Sequence, residues 1–448
     1  MRMAKDGRLR KPRPVEWPLI FRRLIPPTVW RAFCGRVDAG DRRTHWAAKY
    51  VVLCWTFMGW ACRSALSERF TQSWAALAAL YASRRRPGRT FQSLVKAGAR
   101  ITPGAFLEFW YCLREQFAAL LGPAWLWHGW VVLAVDGSRI EAPRTRANER
   151  ILGRAGRENS GPQWWVTTLI HLPSRLLWSW RQGHGTSSER GHLREMLAEL
   201  PARTLLLADA GFVGFELLRG LTQRGADFLI RCGANVTLLI EDTHQCIERH
   251  GASQIVYLWP GKQRSKRPLK LRLITLRRGR KTLCLLTNVL DSTKLSGKLA
   301  GRLYAARWGV ELNFRGLKQT LERRKLTART PETGALELAG NVMALGLLLA
   351  HAAWLMRGQI GHASIAALLR IVRAAIEALI WGHRSPWFAR RARTARRDDY
   401  QRRRSKRARH WPHKKTDRPP RPPKLRKMTS TEITAITRWK HQHPETTG

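Results

Sequence analysis

This sequence has few features of an exported or disulfide-stabilised protein. Its seven cysteines are scattered with no C-x-x-C pair, which argues against a disulfide framework and against a cysteine-based zinc site. The basic N-terminus, "MRMAKDGRLRKPRPVEWP", lacks the apolar stretch of a signal peptide. We therefore expect a protein of the reducing cytosol.

Long apolar runs are also scarce. The run from Tyr50 to Cys62 is too short to span a bilayer, and the run from Leu338 to Met356 contains Asn341 and His351. Both runs are predicted to be buried helices of a soluble protein, so no membrane partner is expected.

Acidic residues are few beside basic ones. The chain has 31 Asp and Glu against 81 Lys and Arg, a formal net charge of +50. A surplus of this size favours a polyanionic partner, because each neutralised phosphate releases condensed counterions. At the level of composition, DNA, RNA and an anionic membrane remain alternatives.

The pattern of apolar runs predicts an α/β chain. The first 125 residues are typical of helices, and strand patterns begin at Trp130. Three strands, the last two joined as a hairpin, precede an alternation of helices and strands, which indicates a mixed sheet covered by helices. The predicted strands of this part are Trp130–Gly137, Trp164–Leu172, Arg175–Gly183, a strand that ends at Asp209 and one that ends at Arg231.

Two further stretches differ from this alternation. Residues 232–290 carry several short strand patterns and are predicted to be a β-rich insertion. In the C-terminal region, 19 of the 44 residues from Arg384 to Lys427 are Lys or Arg. Such a stretch cannot bury enough apolar surface to fold alone, so residues 384–448 are expected to be a disordered basic arm.

Two carboxylates follow apolar strands, in "AVDGS" and "LADAGF". Asp136 and Asp209 each stand where a predicted strand ends, and such strand ends gather functional sites in α/β sheets. Each has a structural alternative. Asp136 could begin an Asp-Gly turn, and Asp209 could cap the following helix.

A third carboxylate lies in "YAARWGVELNFRGLKQTLERRKL", which is predicted to be helical. At about 100° per residue, Tyr304, Arg307, Glu311 and Lys318 fall within an arc of roughly 60°, beside an apolar stripe. The alternative interpretation is a solvated face on which Arg307 and Glu311 form an ordinary ion pair.

Carboxylates of this kind suit hard divalent cations. Mg²⁺ and Mn²⁺ prefer oxygen ligands, and two such ions can activate an attacking oxygen and stabilise the leaving oxygen at phosphorus. The three acidic residues on a very basic chain therefore predict phosphoryl-transfer chemistry on a nucleic acid.

The order of Asp136, Asp209, a β-rich insertion and Glu311 resembles the DDE transposases of bacterial insertion sequences. The spacing Tyr304-x2-Arg307-x3-Glu311-x6-Lys318 matches the Y-(2)-R-(3)-E-(6)-K signature of insertion sequence family four. The resemblance covers roughly residues 125 to 355.

This resemblance implies a ribonuclease H-like catalytic domain. Asp136, Asp209 and Glu311 would be both the catalytic triad and the ligands of two Mg²⁺ ions, for which Mn²⁺ can substitute. The implied reaction cuts the element's ends and joins the freed 3′-hydroxyl to target DNA, by a cut-and-paste route with a hairpin intermediate. The implied partners are terminal inverted repeats, target DNA and a second copy of the chain in a synaptic complex. The implied location is the cytoplasm, at the nucleoid.

Four more residues are expected to contact DNA. By resemblance, Tyr304, Arg307 and Lys318 would contact phosphates near the scissile bond. Trp259 would stack on a flipped base, although "VYLWPGK" also fits a plain hairpin strand end.

The predicted domain organisation follows from these assignments. It comprises 1–125, helical and DNA-end-binding; 126–231, the first part of the catalytic domain; 232–290, the β-rich insertion; 291–383, the catalytic helix and later helices; and 384–448, the basic arm. Two other functions stay open, another ribonuclease H-like nuclease and a non-catalytic or repurposed DNA-binding protein.

Overall fold

The structure is a computed structural model that describes residues 16–37, 46–62, 65–81, 87–153, 160–241, 246–248, 251–278, 281–356, 363–396 and 421–442. The first 15 residues, including most of the basic N-terminal stretch discussed above, lie outside the described residues. The helices are α1 Trp17–Leu24, α2 Pro27–Arg36, α3 Ala48–Trp60, α4 Leu66–Leu80, α5 Phe91–Ile101, α6 Gly104–Arg114, α7 Phe117–Leu121, α8 Arg146–Leu152, α9 Glu189–Met196, α10 Phe215–Gln223, α11 Gly297–Ala306, α12 Gly309–Arg315, α13 Pro331–Leu355, α14 Ile365–Ile380, α15 Phe388–Arg393 and α16 Ser430–Gln442. The strands are β1 Val131–Glu141, β2 Gln163–His171, β3 Leu176–His184, β4 Thr204–Ala208, β5 Asp227–Arg231, β6 Thr237–Ile240, β7 Cys246–Glu248, β8 Gly251–Leu258, β9 Leu269–Arg278, β10 Lys281–Thr287 and β11 Lys424–Lys427.

All of these strands belong to one mixed sheet. Its order is β11-β6-β8-β9-β10-β5-β4-β1-β2-β3, with β7 paired to β8. Strands β1, β2 and β3 pair antiparallel, whereas β1, β4 and β5 pair parallel. The predicted mixed sheet is confirmed, and the strands of the β-rich stretch continue it beyond β5, because β10 pairs antiparallel with β5.

The hairpin of β2 and β3 forms as the sequence predicts. Trp164 pairs with His184 at the open end, and His171 pairs with Leu176 next to the turn. Arg175 in the turn has a φ of 54°, in the left-handed region that a tight reversal requires. This hairpin extends β1, the strand that carries the first site carboxylate.

Helix α13 forms the centre of the helical layer. The N-terminal helices pack around it, and the Nε1 of Trp60 donates a hydrogen bond of 2.8 Å to the carbonyl of Ala344 on α13. Trp110 on α6 donates similarly to Leu177 on β3, at 2.9 Å. The helices before β1 therefore share one hydrophobic core with a face of the sheet.

The two apolar runs are buried helices, as predicted. Helix α13 is long and apolar enough to cross a membrane by length and composition alone, but 94% of its most apolar window is buried inside the fold. Helix α3, which contains most of the shorter run, is buried along nearly its whole length. The six cysteines whose side chains are described are free thiols.

An ion pair links α4 to α13 inside the helical layer. Arg69 and Glu337 are each only 2% exposed, and their Nη1 and Oε1 atoms are 3.0 Å apart. Glu337 also accepts hydrogen bonds from the backbone N–H groups of Thr327 and Ala328, at 2.9 and 2.8 Å. Arg69 donates a further bond of 2.8 Å to the hydroxyl of Thr327.

The expectation of a disordered C-terminal arm is wrong for the residues that the structure describes there. Strand β11 pairs parallel with β6, and Ile436 of α16 packs against Trp259. Glu432 accepts a hydrogen bond of 2.5 Å from Arg264. The part of the arm in β11 and α16 is ordered because the rest of the fold supplies a sheet edge and an apolar partner that composition alone does not reveal. Residues 397–420 and 443–448 lie outside the described residues.

Candidate active site

The sheet brings Asp136 and Asp209 side by side. The last paired residues of the parallel strands β1 and β4 are Ala134 and Leu207. Two residues further along each strand stand Asp136 and Asp209, at the carboxyl end of β4. The two predicted aspartates thus lie at neighbouring positions on one edge of the parallel part of the sheet.

Asp136 does not end its strand, contrary to the sequence interpretation. Strand β1 continues to Glu141, and Asp136 pairs with Thr168 of β2. The prediction failed because β1 keeps its antiparallel partner after its parallel partner has ended. The alternative of an Asp-Gly turn is wrong for the same reason.

Each aspartate is oriented by the backbone that follows it. Asp136 Oδ1 accepts the N–H of Gly137 at 2.9 Å, and Asp209 Oδ1 accepts the N–H of Ala210 at 2.8 Å. Asp209 caps only a short 3₁₀ turn, because α10 begins at Phe215. These bonds restrict the rotamers of both carboxylates at the sheet edge.

The segment that carries Glu311 is not one helix, which corrects the sequence prediction. Helix α11 ends at Ala306 and α12 begins at Gly309, with tight turns in which Arg307 N–H bonds to the Tyr304 carbonyl and Val310 N–H to the Arg307 carbonyl. A π-helical turn then covers Gly316–Thr320. The break and the π turn change the angular phase, so a uniform 100° rotation does not describe where Lys318 points.

Arg307 lies between two of the three carboxylates. Its Nη2 is 3.4 Å from Glu311 Oε1, and its Nη1 is 4.0 Å from Asp136 Oδ2. The predicted pair of Arg307 and Glu311 therefore exists, but it is shared with a strand carboxylate instead of standing on a solvated face. Burial lowers the pKa of Arg307, and the surrounding tyrosine and carboxylates more than offset that effect and raise it.

Tyr304 and Arg231 contact the second aspartate. The Tyr304 hydroxyl donates to Asp209 Oδ1 at 3.4 Å, and Arg231 Nη1 is 3.7 Å from the same oxygen. Burial, together with the charge of Asp209, raises the pKa of Tyr304 to about 12. Tyr304 therefore stays protonated at neutral pH and acts as a hydrogen-bond donor.

The electrostatics of Asp136 connect it to the rest of the site. Burial raises the pKa of Asp136, and the charges of Glu311 and Asp209 raise it further, against the opposing effects of the Gly137 N–H and Arg307. Lys318 is half-buried, and burial lowers its pKa while Asp136 acts in the opposite direction. Tyr304 and Arg307 thus contact the two aspartates, and the charges of Glu311 and Lys318 act on Asp136.

The donors at this site fit a hard divalent cation in their chemistry. The three carboxylates offer only oxygen ligands, the type that Mg²⁺ and Mn²⁺ prefer. As the side chains stand, no group of three or more carboxylate, imidazole or thiol side chains within the described ranges lies close enough together to hold a metal ion. Arg307 instead lies between Asp136 and Glu311.

Trp259, the predicted base-stacking residue, is not accessible in this structure. Its side chain is 9% exposed, and its Nε1 donates to the Lys266 carbonyl at 2.7 Å. The Arg264 guanidinium lies 4.4 Å from the ring centroid, and Ile436 packs beside it. The ring is therefore covered by its neighbours, as expected for the plain hairpin strand end that the sequence also allowed.

The sequence analysis does not assign three residues that lie in or beside these elements. Arg231 is 3.7 Å from Asp209, a contact that depends on the pairing of distant strands. Trp308 is 58% exposed at the break between α11 and α12. Glu189 is the first residue of α9, and burial, Asp136 and Asp209 all raise its pKa.

Comparisons with known proteins cover the region that carries these residues. Residues 127–347 match the family model of the transposase DDE domain, a range that contains both aspartates and the whole signature segment. The chain is 30% identical over 234 residues to the transposase InsG for insertion sequence element IS4 of Escherichia coli strain K12. The match spans about half the length of that curated relative, 52%, and 50% of this chain.

A solved structure shows a looser likeness. The piggyBac transposase synaptic complex with hairpin DNA aligns with 85% of this chain and 83% of its own at 12% identity, with a TM-score of 0.44. The assignment therefore stands on the domain match and the curated relative. Residues 127–347 are a transposase DDE domain, and the chain resembles the transposase of insertion sequence IS4.

Proposed function

We propose that this chain is the DNA transposase of an insertion sequence, which cuts at the element's ends and joins the freed 3′-hydroxyl to target DNA. The observation that carries the proposal is that Arg307 lies between Asp136 and Glu311, with Asp209 at the neighbouring strand position, within a region that matches the transposase DDE domain. A cut-and-paste route with a hairpin intermediate is part of the proposal.

Asp136, Asp209 and Glu311 would hold two Mg²⁺ ions, or Mn²⁺ in their place. When bound, the ions would activate the attacking oxygen and stabilise the leaving oxygen at phosphorus. The aspartates lie on the sheet edge, and Glu311 belongs to the separate element α12. For the three carboxylates to bind ions together, Arg307 would have to leave its position between Asp136 and Glu311.

The signature residues would then bind the DNA backbone. The Arg307 guanidinium can donate to two phosphate oxygens at once, and a phosphate near the carboxylates would draw it out from between them. Tyr304 would donate a hydrogen bond and would not act as a base, because its pKa of about 12 keeps the hydroxyl protonated at neutral pH. Lys318 supplies a point charge beside Asp136.

The fold of the catalytic domain, the partners and the location of the protein are also part of the proposal. A ribonuclease H-like catalytic domain is supported by the five-strand part of the sheet, β3-β2-β1-β4-β5, in which β4 and β5 run parallel to β1. We propose terminal inverted repeats and target DNA as partners, in keeping with the net charge of +50. A homodimer in the synaptic complex, a place at the nucleoid in the cytoplasm, and DNA-end binding by residues 1–125 complete the proposal.

Cleavage of a duplex that carries the element's terminal repeat tests this function. Wild type is compared with Glu311→Gln, which keeps the shape but removes the charge, and with Glu322→Gln, the same change at an exposed position eleven residues further on. We expect metal-dependent nicking at the repeat by wild type and Glu322→Gln, and a loss of about a thousandfold or more in Glu311→Gln.

Other outcomes would contradict the proposal. Equal cutting by Glu311→Gln would remove Glu311 from the site. Specific binding of the duplex by a folded wild-type chain without any cutting would favour the non-catalytic DNA-binding protein. Cutting without preference for the repeat would favour a general nuclease.

A further inference from the structure

The signature segment ends in a turn that is wider than the α-helix before it. The N–H of Leu321 donates to the Gly316 carbonyl at 2.9 Å, a bond across five residues where an α-helix bonds across four. The π turn Gly316–Thr320 therefore holds one more residue than an α-helical turn. Lys318, the last signature residue, lies in the middle of this turn.

Gly316 allows the π turn to pack closely on two other helices. A Cβ atom placed on Gly316 would lie 2.6 Å from Cδ1 of Ile365, the first residue of α14, and 3.3 Å from Cδ1 of Leu345 on α13. The first distance is shorter than real Cβ contacts, and the second is tighter than most of them. A side chain at position 316 would therefore displace Ile365 and Leu345 or lift the turn away from both helices.

After the π turn, Arg323 attaches the chain to the helical layer. Its side chain is 1% exposed, and its Nη2 donates to three carbonyls at and just after the end of α3. The acceptors are Met58, Gly59 and Ala61, at 3.2, 3.3 and 2.8 Å. The end of the π turn is therefore held at a fixed place in the fold.

The next residues attach the same segment to β1. The N–H of Glu141, the last residue of β1, donates to the Arg324 carbonyl at 3.0 Å, and the N–H of Leu326 donates to the Glu141 carbonyl at 2.8 Å. Asp136 lies five residues earlier on this strand. The π turn thus connects α12, which carries Glu311, to the strand that carries Asp136.

The Lys318 side chain is half-buried beside these elements. Within the described ranges, its ammonium has no hydrogen bond and no ion pair. Its acidic neighbours are Glu141 and Asp136, and Glu141 already pairs with Arg324, whose Nε is 3.5 Å from Glu141 Oε1. An ammonium has three donors, and withdrawing them from water without a partner is unfavourable. A phosphate oxygen at this place would supply the partner.

We propose that Gly316 is a positioning residue, which acts by letting the π turn direct the Lys318 ammonium toward a phosphate of the bound DNA backbone. This inference rests on the proposed function, in which Lys318 contacts a phosphate. The spacing between Glu311 and Lys318 fixes how many residues separate them, whereas the direction of the ammonium depends on the turn and on what it packs against.

The salt dependence of duplex binding tests this inference without reference to cleavage. The full chain binds a duplex that carries the terminal repeat, without divalent cations, and fluorescence anisotropy gives the affinity at several salt concentrations. Each lost phosphate contact lowers the slope of log K against log salt by about one. We expect this loss in Gly316→Ala, in Lys318→Ala and, without any addition, in the double variant, because both changes withdraw the same ammonium. An additive loss in the double variant overturns the inference.

Cleavage of the same duplex with Mg²⁺ gives a second readout. Gly316→Ala should slow cleavage by roughly tenfold or more, and it should slow Lys318→Ala no further. Ile365→Val removes the Cδ1 atom that the added Cβ would meet, so Gly316→Ala/Ile365→Val should regain the wild-type slope and rate. Absence of this rescue would show that crowding is not the cause and would overturn the inference.

Gly220→Ala is the matched control, because it introduces similar crowding on a different helix. A Cβ atom on Gly220 of α10 would lie 2.9 Å from Cδ1 of Leu197. Slope and rate should stay at the wild-type values in this variant. If Gly220→Ala lowers both as Gly316→Ala does, the effect is a general result of crowding a helix, which overturns the inference.

A deletion replaces Gly316→Ala if that variant fails to fold. Removing the exposed Gln319 keeps the spacing from Glu311 to Lys318 but leaves Leu321 four residues after Gly316, as in an α-helix. A slope lower by about one supports the inference, and a wild-type slope overturns it.

The slopes also separate this inference from the proposed function. A lower slope in Lys318→Ala with a wild-type slope in Gly316→Ala overturns the role of Gly316 alone. A wild-type slope in both overturns the role of Gly316 together with the phosphate contact that the proposed function assigns to Lys318.

Discussion

The arginine–carboxylate pair of the helical layer and the arginine–carboxylate group of the candidate active site are built differently. In the helical layer, Arg69 and Glu337 are 2% exposed, 3.0 Å apart, and bonded further to Thr327 and Ala328. At the candidate active site, Arg307 is 3.4 Å from Glu311 and 4.0 Å from Asp136, and these carboxylates are 36% and 25% exposed.

The difference indicates what each arrangement is for. The pair in the helical layer has one arginine for one carboxylate and backbone donors for the remaining oxygen, so it is stable as it stands. At the site, the distances between arginine nitrogens and carboxylate oxygens are 3.4–4.0 Å, too long for strong hydrogen bonds. A closed pair holds helices together, whereas loosely paired carboxylates and arginines are suited to receive a cation and a phosphate.

The largest effect is expected from breaking the closed pair. Glu337→Gln leaves Arg69 buried and charged without a carboxylate, and we expect it to lower the free energy of unfolding by about 3–5 kcal/mol. Urea denaturation measures the change. Glu332→Gln, an exposed change on the same helix, should cost less than about 1 kcal/mol. A Glu337→Gln chain as stable as wild type would show that the pair contributes little.

The second effect concerns pH and the same helical layer. His351 is buried among Phe21, Trp60 and Phe388, and burial lowers its pKa to about 4. The unfolded chain takes up this proton near pH 6.5, so stability falls as the pH drops from about 6.5 to about 4, by up to about 3 kcal/mol.

Denaturation at several pH values between 7 and 4 checks this effect. His351→Leu should reduce the loss of stability on acidification, and part of the loss that remains would come from His171, whose pKa burial also lowers to about 4. An unchanged dependence on pH in His351→Leu would contradict the prediction.

The smallest effect is expected at the candidate active site, where removing a carboxylate charge should raise the free energy of unfolding instead of lowering it. The pKa of Asp136 is raised by burial and by neighbouring carboxylates, so its charge opposes folding once the pH exceeds its unfolded value near 4. Asp136→Asn should therefore stabilise the metal-free chain at pH 7 by roughly 0.5–1 kcal/mol, and the gain should vanish below about pH 4.

A matched aspartate serves as the control for this change. The pKa of Asp291 is lowered by hydrogen bonds from Thr293, so Asp291→Asn should destabilise the chain slightly. Destabilisation by Asp136→Asn at pH 7 would mean that its carboxylate serves the fold, and the contrast between the closed pair and the candidate active site would fail.

Local patterns predicted the parts of this fold that depend on neighbours in sequence. The hairpin of β2 and β3 and the two buried helices follow from residues a few positions apart. Composition did not predict the order of β11 and α16, because that order depends on distant partners, the edge of β6 and the Trp259 side chain.

The sequence by itself determined which residues could do the chemistry, since Asp136, Asp209, Glu311 and the signature spacing are all local patterns. Only the tertiary structure decided how they meet. Strand pairing places two aspartates 73 positions apart in sequence side by side, and the break at Arg307 directs one guanidinium between carboxylates of different elements. Lys318 shows the limit of the sequence most clearly, because its direction depends on how the π turn at Gly316 packs on α13 and α14, and no local pattern encodes that packing.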